Sequence, residues 1–173
     1  LTSDLPVAVT MHDVSCSGAV FGGCSDLMGD QIVPDNILGT EYVAVHGYLA
    51  GDDRRQILAV EDGTEVTVDG GWVATLQAGE AHQHILNTPS AFIEASAPVA
   101  VWQSTGVGCE VGGAQLPSVK STGTIATGFG RATSETMRLT IAVHNGGQSD
   151  CRCTGHAGVV TATTVAVVQG KAD

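Results

Sequence analysis

Two histidines set one residue apart, His82-Gln83-His84, are the residues best spaced for chemistry. Side chains on a strand repeat every second position, so both imidazoles fall on one face. Imidazole suits zinc, copper and iron, and a neighbouring pair is half of a chelate. The acid that would complete such a site is missing nearby, since Glu94 follows His84 by ten residues. The pair is therefore expected to face solvent, with His82 and His84 kept only as weak metal candidates. Asp52-Asp53 and Glu61-Asp62 offer calcium oxygen ligands from turns. Neither matches a dedicated calcium loop, and solvated turn acids account for both. No Gly-x-Ser-x-Gly elbow and no His-Glu-x-x-His run occurs. The chain is expected not to be an enzyme and to need no cofactor, calcium being the one cation its acids suggest.

Five cysteines form the other reactive set. An odd number leaves at least one thiol free or joined to another molecule. Cys16 and Cys24 stand eight positions apart around a Gly-rich loop. A disulfide closing that loop stabilises by about 2–3 kcal/mol, mainly by restricting the unfolded chain. Cys109 lacks so near a neighbour; Cys151 or Cys153 is its expected partner, and the remaining thiol is available to tie two subunits together. Cys151-Arg152-Cys153 does not have the Cys-x-x-Cys spacing of redox pairs, and no second pair completes a structural zinc site. Disulfides persist in oxidising compartments, so these cysteines point to an extracellular or cell-surface location.

The elements that must position these groups are strands. Gly is abundant at 23 of 173 residues, charged residues make up only 14%, and Val, Ala and Thr dominate the rest. Small and β-branched side chains fit pleated, half-buried surfaces, while Gly supplies turns between short strands. The formal net charge of −11 repels phosphate backbones and anionic membranes, which argues against a nucleic-acid partner. No segment approaches the roughly 18 apolar residues that span a bilayer, so no membrane insertion is expected. The chain opens at Leu1 without Met, as a processed mature protein or an excised piece would. Asn87-Thr88-Pro89 fails as an N-glycan acceptor, and the Thr-rich stretches 121–127 and 161–164 are the places for O-glycans. With seven aromatic residues, a sugar-stacking platform is disfavoured. Trp72 and Trp102 fall on strands and are expected in the core.

Six short strands are legible in the middle of the chain, at 56–60, 65–68, 72–76, 82–86, 91–95 and 99–104. Turns at Asp62-Gly63, Asp69-Gly70-Gly71 and Ala78-Gly79-Glu80 separate the first four, and Ser96-Ala97-Pro98 separates the last two. An internal repeat overlies them. Pro6-Val7-Ala8-Val9 echoes Pro98-Val99-Ala100-Val101, Gly23-Cys24 echoes Gly108-Cys109, and Ile57-Leu58-Ala59-Val60 echoes Thr140-Ile141-Ala142-Val143. The last strand, within 158–169, carries Val159, Val160, Val165, Val167 and Val168 with no charge and no Pro. Exposed as an edge it would aggregate, so it must pair inside the fold or with a neighbouring subunit.

From Asp13 to about Val119 the sequence resembles the IgG-Fc-binding protein N-terminal domain family. The likeness rests on the paired-cysteine loop from Cys16-Ser17-Gly18 to Gly23-Cys24-Ser25-Asp26-Leu27, then Gln31-Ile32-Val33-Pro34 and Gly39-Thr40-Glu41-Tyr42-Val43. It continues through the hairpin of residues 57–68 with Leu76-Gln77-Ala78-Gly79-Glu80, and through Pro98-Val99-Ala100-Val101-Trp102-Gln103. The resemblance implies a large secreted or cell-surface parent with adhesive or structural roles. It transfers no functional residue, and immunoglobulin binding is not carried over from the name.

The resulting expectation is an all-β fold of antiparallel β-sandwich units, two of them related by the repeat. The first unit spans 1–104, with strands of a preceding half-repeat at 1–34, and a second, partial unit spans 105–173. The function expected is that of a self-assembling filament, sheath or surface-layer subunit that pairs β-strand edges as a homo-oligomer. An adhesin or binding module for a surface glycan or protein ligand is the alternative. A cupin-like metal-dependent enzyme, resting on His82 and His84 alone, is the remote one.

Overall fold

The computed structural model describes residues 3–18, 22–47, 51–107, 110–123, 139–144 and 163–168, with side chains given for most positions outside 13–27, 107–110 and those after 123. The described strands are β1 (Val9–Gly18), β2 (Gly22–Ile32), β3 (Gly39–Val45), β4 (Asp53–Ala59), β5 (Thr64–Val68) and β6 (Gly71–Leu76). They continue with β7 (Ala81–Leu86), β8 (Ser90–Val107), β9 (Glu110–Leu116), β10 (Leu139–His144) and β11 (Thr163–Val168). Two single turns of 3-10 helix, Asp35–Ile37 and Val119–Ser121, are the only helical pieces among the described residues. The fold is all-β, and antiparallel except for the β10–β11 ladder, which is parallel.

Local chemistry sets the hairpins. Asp69 and Gly70 both adopt positive φ (50° and 78°), the requirement of the tight turn that joins β5 to β6. Period-two burial follows along the strands. In β4, Asp53, Arg55, Ile57 and Ala59 are buried while Leu58 is exposed. A one-residue slip would turn that whole face to water, so burial fixes the register.

The sequence reading split β8 in two at Ser96-Ala97-Pro98; the structure makes it one 18-residue strand. Pro98 costs nothing there because the ladders are interrupted around it. Against β3, the register passes from Gly39↔Val99 directly to Glu41↔Glu94. On the opposite edge β5 pairs up to Ala95 and β4 begins at Val99. The N–H that Pro lacks is therefore one that no neighbour needed. Ser96 uses the gap: its Oγ accepts the Glu65 N–H at 2.9 Å.

β8 is thus a bent spine. Val99 pairs with both Gly39 and Ala59, and Glu94 with both Glu41 and Thr67, so β3 lies along one edge of the spine and β4 and β5 along the other. β9 follows β3 on its edge. One half of the sheet comprises β3, residues 90–95, β5 and β6; the other comprises β9, residues 99–107, β4 and β7. The bend folds these halves face to face, as strands that switch sheets do in closed sandwiches. One core results, with Tyr42, Ala44, Val66, Val68, Leu76 and Ile93 from the first half against Ile57, Ala59, Leu86, Val99 and Val101 from the second. β8 runs across position 104, so this sheet includes residues on both sides of the boundary expected there.

The β1–β2 hairpin docks on the far side of β9. Asp30 Oδ2 accepts the Gln115 N–H (3.0 Å), and Gln115 Oε1 accepts that of Val33 (3.1 Å). Gly113 is needed at the contact, because a Cβ there would meet Met28 Sδ at 2.5 Å and the Trp102 ring at 2.7 Å. Trp102, expected in the core, is instead half-buried on the face of β8 opposite to Val99 and Val101, beside this contact.

Tyr42 pins the bend. It is fully buried, and its hydroxyl accepts the Gly39 N–H at 3.1 Å while donating to the Val99 carbonyl. Those two groups belong to the residue pair at one end of the register shift. Burial raises the phenol above its ordinary pKa, against the Gly39 bond, so the hydroxyl keeps its proton. Tyr42→Phe preserves the ring but strands buried polar groups, a loss of about 1–3 kcal/mol. Urea unfolding will show that drop with an unchanged m-value; a variant as stable as the parent would rule out the pinning role.

Candidate functional site

Opposite the bend, the open end of the sandwich is polar inside. Register places His84, Arg55 and Gln103 side by side on β7, β4 and β8, with Asp53 and Thr105 on the same inward face two residues farther on. Asp53 and Arg55 are both fully buried, and Arg55 is the largest fully buried side chain described.

The two charges meet as an ion pair, Arg55 Nη2 to Asp53 Oδ2, at 3.6 Å. Asp53 Oδ2 also accepts the Gly47 N–H (2.6 Å) and Gln103 Nε2 (3.3 Å). Val45, at the end of the facing half, lends its carbonyl to Arg55 Nη2 (3.0 Å) and Gln103 Nε2 (2.9 Å). The cluster therefore ties the halves together across the open end. Burial pushes the Arg55 guanidinium down to about 10, against the pull of Asp53, so it remains charged at neutral pH. Asp53 Oδ1, Arg55 Nε and Nη1, and Thr105 Oγ1 are buried without a hydrogen-bond partner. Gly47 leaves room for this arrangement, since a Cβ would stand 2.8 Å from Thr105 Oγ1.

Sequence reading missed Arg55 altogether and took Asp53 for a solvated turn acid with a calcium option. Asp53 instead lies on a strand, buried and ion-paired. The signal was present: Asp53 and Arg55 share the parity of Ile57 and Ala59. Of the other turn acids, Asp62 Oδ1 accepts the Ala78 N–H at 2.9 Å and helps seat the turn before β7.

The histidine pair also departs from expectation. His82 and His84 share one face, as the spacing required, but that face points inward, opposite Ile57 and Arg55. Both rings are half-buried, with centroids 6.5 Å apart. Burial, then His82 and Arg55, hold the His84 imidazole toward its neutral form, and Asp69 pulls the other way. Among the described residues no group of three or more His, Cys, Asp or Glu is placed to hold a metal.

Outside, Trp72 corrects another expectation: it is 66% exposed on β6 rather than in the core. Ile85, Val60 and Leu58 are the exposed apolar residues on and beside β7 and β4. The outer edge of β7 has no strand partner among the described residues, and its ladder to β4 runs without a shift.

Cys16 lies on β1 and Cys24 on β2. The register pairs Cys16 with Asp26 and Gly18 with Gly22, so the backbones of the two cysteines run together where the ladder is irregular. Cys109, Cys151, Cys153, Val159 and Val160 lie outside the described residues. Val165, Val167 and Val168 lie on β11, which pairs with β10 inside the chain. No helix among the described residues is long and apolar enough to cross a membrane.

A family model described as IgGFc binding protein matches residues 1–165. No curated protein and no solved structure gives a match.

The depressed basicity of His84 has a signed consequence. The unfolded chain protonates this residue near its ordinary value of 6.5, the folded chain only at lower pH. Folding stability therefore falls as pH drops through that value. Replacing the imidazole in His84→Gln removes this contribution, so the melting temperature will fall less between about pH 7.5 and about pH 5.5 than in the parent. Equal falls in scanning calorimetry would mean that folding leaves this imidazole's basicity unchanged.

Proposed function

This chain belongs to the IgGFc binding protein family, and on that premise we propose that it is a non-catalytic recognition module of an extracellular or cell-surface protein. It binds a protein ligand through the outer face of its sandwich. The observation that carries this reading is Trp72, two-thirds exposed on a strand of the sheet while aliphatic side chains fill the core. A solvent-facing indole is costly to leave unpaired, and Trp is the residue most enriched among the few that dominate protein interfaces. β6 is a rigid mount for it, since backbone pairing to β5 sets its position.

Surface plasmon resonance against immobilised IgG Fc and mucin tests this directly. Saturable binding to at least one of them, with a Kd of about 1 μM or tighter, is expected. Trp72→Ala should weaken it about tenfold or more, about 1.4 kcal/mol, with circular dichroism unchanged. Absence of binding to both, or a variant that binds like the parent, would sink the reading.

A second reading, a subunit that assembles with its own copies, is favoured by the outer edge of β7, which has no strand partner among the described residues. Both readings place the chain in an oxidising compartment, where Cys16 and Cys24 would close the β1–β2 hairpin as a disulfide. Peptide mapping of unreduced native protein should recover these two cysteines as one cross-linked fragment; alkylation of both as free thiols would remove that support for an extracellular location.

A further inference from the structure

Among the described residues, β7 is a strand edge without the usual protection. Natural edges are blunted by charges, Pro, bulges or a covering element. Ala81-His82-Gln83-His84-Ile85-Leu86 contains no Lys, no acid and no Pro, and pairs with β4 through six consecutive residues without a bulge. The other edges differ. Asp30 takes a backbone N–H of β9, the β5–β6 ladder carries a register shift, and β3 carries Glu41 and slips against β8 between Gly39 and Glu41.

The edge is also complementary to itself. If two copies align β7 antiparallel about a twofold axis at Gln83, Ala81 of each faces Ile85 of the other, a small side chain against a large one. Ile85 is 44% exposed in the single chain, so this pairing buries apolar surface now wet. The same register sets His82 of each copy opposite His84 of the other on the inward face. Directly opposed side chains on antiparallel strands have Cβ atoms about 5 Å apart.

Four imidazoles then converge. Two rings bound tetrahedrally to one ion, each centre about 3.2 Å from the metal, stand about 5.2 Å apart, so the in-strand centroid distance of 6.5 Å must close by rotation of the two side chains. Among the described residues a single chain offers these two ligands, and its copy would supply the other two. The electrostatics favour a shared dication over bare pairing. Each chain carries a net charge of −11, so two copies repel one another. Arg55 opposes a cation beside His84, but Asp53 is ion-paired with it, and Asp69 acts in the ion's favour.

We propose that the β7 edges of two copies join through a zinc ion held by His82 and His84 of each. This rests on the self-assembly reading and gives it a specific joint.

Sedimentation velocity of the whole chain, with zinc chloride or with a chelator, tests the joint, alongside metal content per chain. The expected result is a dimer that forms only with zinc, holds one ion per two chains, and disappears in His82→Ala and His84→Ala. Ile85→Lys, which adds a charge to the edge and leaves the four imidazoles intact, should also abolish it while circular dichroism stays unchanged. Zinc bound by monomers alone would overturn the shared site. A dimer that persists with chelator would overturn the metal while leaving self-assembly standing. Monomers under every condition, without bound zinc, would overturn both.

Discussion

The bend in β8 is the constraint on which the rest of the structure depends. An open antiparallel sheet of this composition would leave one apolar face in water, and small side chains offer too little surface to cover it from elsewhere. Folding the sheet on itself solves this with one chain segment, but a continuous strand resists a sharp bend because its ladders must break there. All three interruptions fall at the same level. The β3 ladder slips between Glu94 and Val99, β5 gives way to β4 across Glu61-Asp62-Gly63, and β6 gives way to β7 across residues 77–80. The backbone groups released by these breaks go to Ser96, Tyr42 and Asp62. Buried peptide groups without partners would each cost more than a typical hydrogen bond returns, so Tyr42 permits the bend, while the exposed bonds of Ser96 and Asp62 only help to shape it.

Closing the sheet creates a second problem at the opposite end. There the halves meet through Asp53, Arg55, Gln103 and the Val45 carbonyl, not through apolar side chains. A buried ion pair is weak evidence for stability, since desolvation offsets most of the Coulomb gain. What the pair supplies is specificity. Arg55 reaches the Val45 carbonyl only when β3 and β4 are correctly opposed, and a slipped arrangement would strand a charge in the core. Tyr42 and Arg55, the two largest fully buried side chains described, each spend their polar end on the facing or bent backbone. Geometry in this sandwich is set by its two ends, and the aliphatic middle follows.

How much of this was legible follows from what each signal reports. Asp69-Gly70 announced its hairpin because the turn needs positive φ, a requirement local to two residues. Alternation along β4 through β7 announced strands, and the spacing of His82 and His84 announced a shared face. Alternation does not say which face is inside. Had parity been carried from Ile57 to Arg55 and Asp53, their burial could have been read. For His82 and His84 the pairing to β4 was also needed, and pairing is not a local property. Pro98 was read as a terminator because Pro removes a donor; only the neighbouring ladders reveal that no donor was wanted there. Trp72 was assigned to the core by residue type, yet the shift between Val66 and Thr67 and its place on the outer strand leave the indole outside. The family likeness, in contrast, was visible in the cysteine loop and the hairpin before any coordinates.

These misreadings share a physical origin that bears on function. A sheet that closes by bending has fewer free edges than two separate sheets would, but it cannot remove them all. On the β9 side the edge is occupied, with Asp30 and Met28 of the β1–β2 hairpin laid against Gln115 and Gly113. On the β6–β7 side, the described residues present the two features least expected in a solvated edge: an exposed indole and an uncharged, regular strand. A chain so acidic had charges to place there and did not. Placing them would have cost little stability, since surface charges seldom matter to folding. Their absence is better explained by an edge that is covered in the working state of the protein than by the needs of the fold. The two proposed functions, recognition of a ligand and pairing with a copy, would therefore use neighbouring surfaces of the same sandwich, on the side bearing Trp72 and β7.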